Sequence, residues 1–217
     1  MIKIGLINPN STEDMTVSCA EQAKKCLTPG FEIVSYTNKT GPRAIQGLKD
    51  NKIAEQGTIE LAKANYSLDG IIIGCFDDTA LEKCVGLISK PVIGLGQASY
   101  YMSHLKSGFF SVLTTMEDSV PIIQNNISRL GFNKWCLGVY ASNLEVLALE
   151  YEQERSVAIL KERIKKITEF HGPHSIALGC AGMTKVFKAL NKTGTAPLID
   201  PIKASVSLMV ALINTTL

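Results

Sequence analysis

The feature that most constrains this chain of 217 residues is a repeated pattern of an apolar strand, a glycine, a cysteine and the start of a helix. The pattern occurs as IIIGC at residues 71–75 and again as IALGC at residues 176–180. Short apolar runs of this kind are typical of strands buried in a parallel sheet. Because ligands bind at the carboxyl ends of such strands, each cysteine is predicted to face a crevice. The helix N-terminus beside each sulfur also favours its thiolate form.

Taken alone, each cysteine is more typical of a buried core position than of a catalytic group, since cysteine is among the most buried residue types. The spacing of the surrounding segments strengthens the functional interpretation of the pair. Asn8 precedes Cys75 by 67 residues, and Thr114 precedes Cys180 by 66 residues. A Pro-x-Ile segment then follows each cysteine by 16 or 17 residues. Matched turns, cysteines and prolines indicate two similar halves.

Strand-like and helix-like segments alternate in each half, which predicts parallel sheets flanked by helices. We therefore expect an α/β protein made of two similar Rossmann-like domains related by a pseudo-twofold axis. The active site is expected in the cleft between the domains. The first domain is predicted to contain residues 1–97 and a returning C-terminal helix at 201–217, and the second domain residues 98–200.

Composition excludes several classes of function. Hydrophobic residues make up 46% of the chain and charged residues 19%, which is typical of a compact globular protein. The net charge of +2 and the dispersed lysines do not predict binding to nucleic acid or to a membrane. The N-terminus does not resemble an export signal, and no apolar run has membrane-spanning length. We expect a cytoplasmic protein with reduced thiols that acts on a small molecule.

Motifs of other enzyme classes do not occur in the sequence. There is no phosphate-binding loop, dinucleotide fingerprint, GxSxG or HExxH segment. The three histidines lack metal-ligand spacing and the six cysteines lack CxxC spacing, so the sequence predicts neither a metal site nor a cofactor. The four cysteines outside the repeat fall within predicted helices or strands and are expected to be structural: Cys19, Cys26, Cys84 and Cys136.

Two facing cysteines suit the inversion of a carbon that bears an acidic hydrogen. One thiolate removes the proton from one face, and the other thiol donates a proton to the opposite face. A thiol pKa of about 8.5 allows one member to be ionised and the other protonated near neutral pH. Polar turns around Asn8, Ser11, Thr114 and Thr115 are predicted to bind the substrate and its enolate-like oxygen.

Two aspartates, Asp77 and Asp78, follow the first cysteine closely. We interpret them first as N-cap residues of the next helix, with a direct role in proton transfer as the alternative. A carboxylate directed at the thiol disfavours the thiolate, so the direction of these side chains decides between the two interpretations.

Six segments resemble a known family. They are INPNST at 7–12, the Gly-Pro loop at 41–42, GCF at 74–76, PVIGLGQA at 91–98, FSVLTT at 110–115 and LGCAGM at 178–183. These segments resemble the hydantoin/allantoin racemase family of the aspartate/glutamate racemase superfamily, over essentially the whole chain. The resemblance implies two α/β domains, a cofactor-independent mechanism with Cys75 and Cys180 as acid and base, and a homo-oligomer. The predicted substrate-binding residues are Asn8, Ser11, Gly41, Pro42, Gly74, Phe76, Asp77, Thr114, Thr115, Gly179, Ala181, Gly182 and Met183.

Three positions depart from the pattern of that family and concern the substrate. Asp77 is followed by Asp78-Thr79 where the family continues with Asp-Pro-Gly, and Gln97 stands where an acidic residue is common. GVYASN at 138–143 replaces a basic, aspartate-containing stretch. The predicted activity is racemisation of a hydantoin-like or amino-acid-derived substrate. Two alternatives remain, an Asp/Glu-type racemase or related dicarboxylate isomerase, and a non-catalytic relative that binds a small molecule.

Overall fold

The computed structural model describes the backbone of residues 1–192 and 194–216, and the side chains of these residues except residue 216. Residues 193 and 217, which fall within the predicted domains, lie outside the described residues. The strands are β1 (Ile2–Asn8), β2 (Phe31–Thr37), β3 (Gly70–Ile73), β4 (Val92–Gly94), β5 (Phe110–Thr114), β6 (Cys136–Ala141), β7 (Ser175–Gly179) and β8 (Leu198–Ile199).

Helices follow most of these strands, as expected for an α/β protein. They are α1 (Glu13–Lys24), α2 (Leu48–Ala64), α3 (Leu81–Leu87), α4 (Leu95–Ser107), α5 (Val120–Arg129), α6 (Ala148–Tyr151), α7 (Gln153–His171), α8 (Phe187–Asn191) and α9 (Pro201–Thr216). Short 3-10 turns occupy Glu117–Ser119 and Ala181–Lys185. Within the described ranges, no helix combines the length and apolar character needed to cross a bilayer.

The strands form two sheets of four parallel strands with the same order, β2-β1-β3-β4 and β6-β5-β7-β8. The inner strands β3, β5 and β7 are buried along their whole length. Strands covered by helices on both faces must be apolar throughout, which explains the continuous runs such as IIIG and SIALG. The predicted pair of similar α/β halves with parallel sheets is confirmed.

One apolar core joins the two halves. It includes Ile72 of the first sheet and Val112 of the second, packed with Tyr100 of α4 and Met209 of α9. Helix α4 contacts β4 of the first sheet and both β5 and β7 of the second. The predicted boundary after residue 97 falls inside α4, so the limits 1–97, 98–200 and 201–217 stay a prediction.

Candidate active site

Cys75 and Cys180 lie at the carboxyl ends of strands that hold the same position in the two sheets, β3 and β7. A glycine precedes each of them. A Cβ on Gly74 would lie 3.1 Å from a carbonyl oxygen of β1, and one on Gly179 would lie 2.9 Å from a Cα of β5. Glycine therefore allows both cysteine loops to lie close against the central strand of their sheet.

A single small cavity, with a volume of about 30 Å³, has both cysteines in its wall. Residues of both halves line it, and the backbone amide of Val146 donates to Gln46 Oε1 across the halves at 2.9 Å. Among the described residues the lining includes no Lys or Arg. The lining residues are Asn10, Met15, Ile45, Gly74, Cys75, Phe76, Asp77, Thr115, Ser119, Val146, Gly179, Cys180 and Ala181.

Desolvation dominates the proton affinity of both thiols. Burial raises the pKa of Cys180 to about 12, and the charges of Asp77 and Glu150 act in the same direction against two backbone amides of the next turn. Burial also raises the pKa of Cys75, with a further contribution from the Asp77 carboxylate. Hydrogen bonding to the Thr79 side chain and to the Asp77 backbone lowers it in part. Both thiols are therefore protonated at neutral pH in the free protein.

The prediction that Asp77 and Asp78 cap the helix after Cys75 is wrong. Helix α3 begins at Leu81 with Ala80 as its N-cap, so neither aspartate caps it. Asp78 instead accepts hydrogen bonds from the backbone amides of Gly96 at 2.9 Å and Gln97 at 2.8 Å, in the first turn of α4. The Asp78 carboxylate therefore caps α4, the helix that follows β4, at its positive N-terminal end.

This contact also explains two glycines of the PVIGLGQ segment. A Cβ on Gly94 would collide with the Asp78 carboxylate, and one on Gly96 would collide with the Phe76 carbonyl oxygen and lie 2.9 Å from Asp78 Oδ2. The glycines therefore make room for a buried carboxylate, a requirement unrelated to phosphate binding.

Asp77 has a different environment and lines the cavity. Its Oδ2 accepts hydrogen bonds from Asn51 Nδ2 at 2.8 Å and from Ser119 Oγ at 3.2 Å. Its backbone carbonyl accepts from Asn126 Nδ2 at 2.9 Å, so residues of both halves hold it. Burial raises the pKa of Asp77 to about 6, and the bonds from Asn51 and Ser119 oppose that shift. A direct role of Asp77 in the chemistry stays a prediction.

Asn10, and not the predicted Asn8, reaches the cavity. Asn8 Nδ2 donates to Asn10 Oδ1 at 2.9 Å, and Asn10 Oδ1 also accepts the Thr12 amide at 3.0 Å. These bonds fix the orientation assigned to the Asn10 amide. Its Nδ2 then has only Met15 Sδ, a weak acceptor at 3.7 Å, as a partner within the described ranges. Asn10 therefore offers a hydrogen-bond donor to a ligand.

Six predicted substrate-binding residues line the cavity beside the two cysteines: Gly74, Phe76, Asp77, Thr115, Gly179 and Ala181. Seven others lie outside the lining, and their binding role stays a prediction: Asn8, Ser11, Gly41, Pro42, Thr114, Gly182 and Met183. Some of these support the site, since the Thr114 hydroxyl donates to the Gly179 carbonyl at 3.1 Å. Five lining residues were not among the predicted ones: Asn10, Met15, Ile45, Ser119 and Val146. Asn10 lies within the INPNST segment and Ser119 closely follows the FSVLTT segment, so their positions could have indicated them. The other three, Met15, Ile45 and Val146, are apolar and have no side-chain chemistry that marks a site.

Comparison with known proteins agrees with this architecture. Residues 4–209 match the Asp/Glu/Hydantoin racemase family. The chain belongs to this family. It is similar to the hydantoin racemase of Rhizobium meliloti, with 36% identity over 214 residues that cover 97% of this chain and 88% of the relative.

Two solved racemase structures match the whole chain. The allantoin racemase from Klebsiella pneumoniae is 30% identical with a TM-score of 0.94, and the match covers 89% of that chain. The allantoin racemase from Pseudomonas fluorescens is 25% identical with a TM-score of 0.95, and the match covers 92% of that chain. The resemblance drawn from the six sequence segments is confirmed, and the protein is an isomerase of the racemase type.

Proposed function

We propose that this racemase inverts the acidic C–H centre of a hydantoin-like ring without a cofactor, with Cys75 and Cys180 as base and acid. The observation that carries the proposal is the single cavity lined by both thiols, which come from equivalent strand ends of the two halves. An acid and a base on opposite faces of one carbon are what inversion requires.

In one direction, the thiolate of one cysteine takes the proton from the ring carbon, and the electron pair moves onto the adjacent carbonyl oxygen. The thiol of the other cysteine then donates its proton to the opposite face of that carbon. The carbon ends inverted, and the two sulfurs have exchanged protonation states. The reverse reaction uses the same groups in exchanged roles. A thiolate of high pKa is scarce at neutral pH, but it is a stronger base toward a weakly acidic C–H.

The oxygen that gains charge needs hydrogen-bond donors in the cavity. We assign this role to Asn10 Nδ2 and to the Thr115 hydroxyl. Asn10 Nδ2 is held in place through its own Oδ1 and bonds only weakly to Met15. The Thr115 side chain makes no hydrogen bond with any other residue of the described ranges and lines the cavity.

The lining favours a neutral ring over the alternative of a dicarboxylate. A substrate with two carboxylates is bound best by cationic side chains, yet no Lys or Arg occurs among the described lining residues, and Asn10 offers a single amide donor. The buried Asp77 would in addition repel such a substrate. A hydantoin has no carboxylate, and its ring carbonyl and nitrogen acidify the C–H between them.

The test is solvent exchange during turnover. The protein is incubated with each enantiomer of 5-methylhydantoin in D2O, with NMR of the ring C–H and chiral chromatography as readouts. We expect both enantiomers to take up deuterium and to racemise, whereas Cys75→Ser and Cys180→Ser slow inversion by about 10²–10⁴-fold because a serine hydroxyl is too weak an acid and base. Cys26→Ser, which changes a thiol outside the cavity lining, is the matched control and should retain activity.

Exchange no faster than in buffer alone would contradict a hydantoin as the substrate. Full inversion by either of the two serine variants would contradict the two-thiol mechanism even if the protein is a racemase.

A further inference from the structure

The Asp77 carboxylate is buried in the cavity wall without a counterion. The residue is 7% exposed, and none of the ion pairs among the described residues includes it. The lining residues that the structure describes add no Lys or Arg. A buried carboxylate that lacks a cation is costly, so its presence in a cavity points to a ligand group that offsets it.

The two oxygens of Asp77 have different partners. Oδ2 accepts from Asn51 and Ser119, whereas Oδ1 accepts no hydrogen bond from any residue in the ranges 1–192 and 194–216. In Asp78, by contrast, each oxygen accepts one backbone amide of α4. Both carboxylate oxygens of Asp78 therefore have partners within the protein, whereas Oδ1 of Asp77 can accept a hydrogen bond from a ligand.

We propose that Asp77 determines the substrate class of this site: Oδ1 accepts a hydrogen bond from an N–H of a neutral, ureide-type ring, and the negative charge excludes substrates that carry a carboxylate. The proposal rests on the proposed function, because it assigns the ring that the two thiols act on. A repulsive charge of this kind is a common way to discriminate between substrates that share a reacting group.

The same charge acts on both thiols. Asp77 raises the pKa of Cys75 and, to a smaller extent, that of Cys180. A ring N–H that donates to Oδ1 withdraws part of this negative charge from the thiols, so binding of the correct substrate favours thiolate formation. The Asp77 carboxylate acts on Cys75 and Cys180 and accepts hydrogen bonds from Asn51 and Ser119. It also interacts with two other carboxylates, Asp50 and Asp78.

The experiment compares two hydantoins with the same ring, 5-methylhydantoin and hydantoin-5-acetic acid, at pH 8. For the wild type, we expect kcat/KM to favour the neutral compound by about 100-fold, since like charges repel strongly in a desolvated site. Asp77→Asn retains an oxygen for Asn51 and Ser119 but lacks the charge, and should reduce this preference by about tenfold or more. Asp118→Asn, the same change at an exposed position next to Ser119, should leave the ratio unchanged.

A second measurement needs no turnover. Alkylation of Cys75 by iodoacetamide, followed by peptide mass spectrometry, should be about tenfold faster in Asp77→Asn than in the wild type, because removal of the charge lowers the thiol pKa. In the wild type, 5-methylhydantoin should protect Cys75 more than hydantoin-5-acetic acid does. Asp77→Asn should remove this difference in protection.

These readouts separate the two proposals. If the wild type racemises neither hydantoin, the proposed function fails, and the protection experiment still decides the role of Asp77. A substrate ratio within about twofold of the wild type in Asp77→Asn, or unchanged alkylation and protection, would overturn the assignment. If Asp77→Asn does not fold, Asp77→Ser makes the same test, because it also removes the charge and retains an acceptor.

Discussion

The two cysteine loops occupy equivalent places in the two sheets, but their surroundings differ. The loop after β3 places Cys75 beside the polar side chains of Asp77 and Thr79. The loop after β7 places Cys180 in an apolar cluster that includes Met183 and Leu149. The duplicated fold therefore determines where the two sulfurs lie, whereas the neighbouring side chains help to determine the pKa of each thiol.

The backbones of the two loops differ as well. Among the described non-glycine residues, only three have a positive φ, and two of them, Asp78 at 54° and Ala80 at 63°, lie in the Cys75 loop. The Cys180 loop continues as a regular 3-10 turn, Ala181–Lys185. The polar loop therefore carries local backbone strain that the apolar loop lacks.

The polar element of the second loop is an ion pair between a partly exposed lysine and a buried glutamate. Lys185 at the end of the 3-10 turn pairs with Glu150, whose side chain is 2% exposed. Its Oε1 has no hydrogen-bond partner within the described part of the chain. The Glu150 charge raises the pKa of Cys180 as Asp77 raises that of Cys75, but Glu150 has a cation beside it.

The largest expected effect tests whether the two sulfurs serve opposite faces of the substrate. Cys75→Ser and Cys180→Ser should each slow inversion by about 10²–10⁴-fold, because one acid/base group is lost. The remaining thiolate still reaches its own face of the ring. Each variant should therefore exchange the ring C–H of one enantiomer with D2O without inversion, and the two variants should prefer opposite enantiomers. NMR and chiral chromatography of each enantiomer measure this; the same preference in both variants would contradict the two-face arrangement.

A smaller effect concerns the ion pair behind the apolar loop. Lys185→Met leaves the Glu150 carboxylate buried without its cation and should lower the free energy of unfolding by about 3 kcal/mol. Lys166→Met, which breaks an exposed pair with Glu162, is the matched control and should cost less than about 1 kcal/mol. Urea unfolding at neutral pH measures both variants.

The double variant Glu150→Gln with Lys185→Met completes this test. It should recover most of the stability lost in Lys185→Met, because no unpaired charge then remains. Equal stability of the Lys185→Met and Lys166→Met variants would show that the buried pair contributes no more than a surface pair.

Much of this arrangement could be predicted because it depends on local pattern and spacing. Continuous apolar runs identified the inner strands, and the equal distances from Asn8 to Cys75 and from Thr114 to Cys180 indicated two similar halves. Since parallel strands of one sheet end at the same edge, placing the cysteines after the strands also placed them near a crevice.

The missed features depend on tertiary contacts. Asp78 caps a helix whose amide lies 18 residues further along the chain, so a local capping rule assigned it to the wrong helix. Asn8 is the last residue of β1 and Asn10 lies in the turn that follows, and the hydrogen bonds from Asn8 and from the Thr12 amide orient the Asn10 side chain toward the cavity. A sequence motif predicts that this segment lies near the site, but it does not predict which of its side chains reaches the cavity.

The smallest expected effect tests the strain in the Cys75 loop. Ala80 has a φ of 63°, a conformation that costs a residue with a Cβ about 1 kcal/mol or more and costs glycine almost nothing. Ala80→Gly also makes the unfolded chain more flexible, which offsets part of the gain. We therefore expect a net increase of about 0.5 kcal/mol in the free energy of unfolding, measured by urea denaturation. Ala158→Gly, the same change at an exposed position of α7 with ordinary helical geometry, should instead lose about 1 kcal/mol. If both variants lose stability equally, the positive φ of Ala80 stores no strain, and the difference between the two loops lies in their side chains alone.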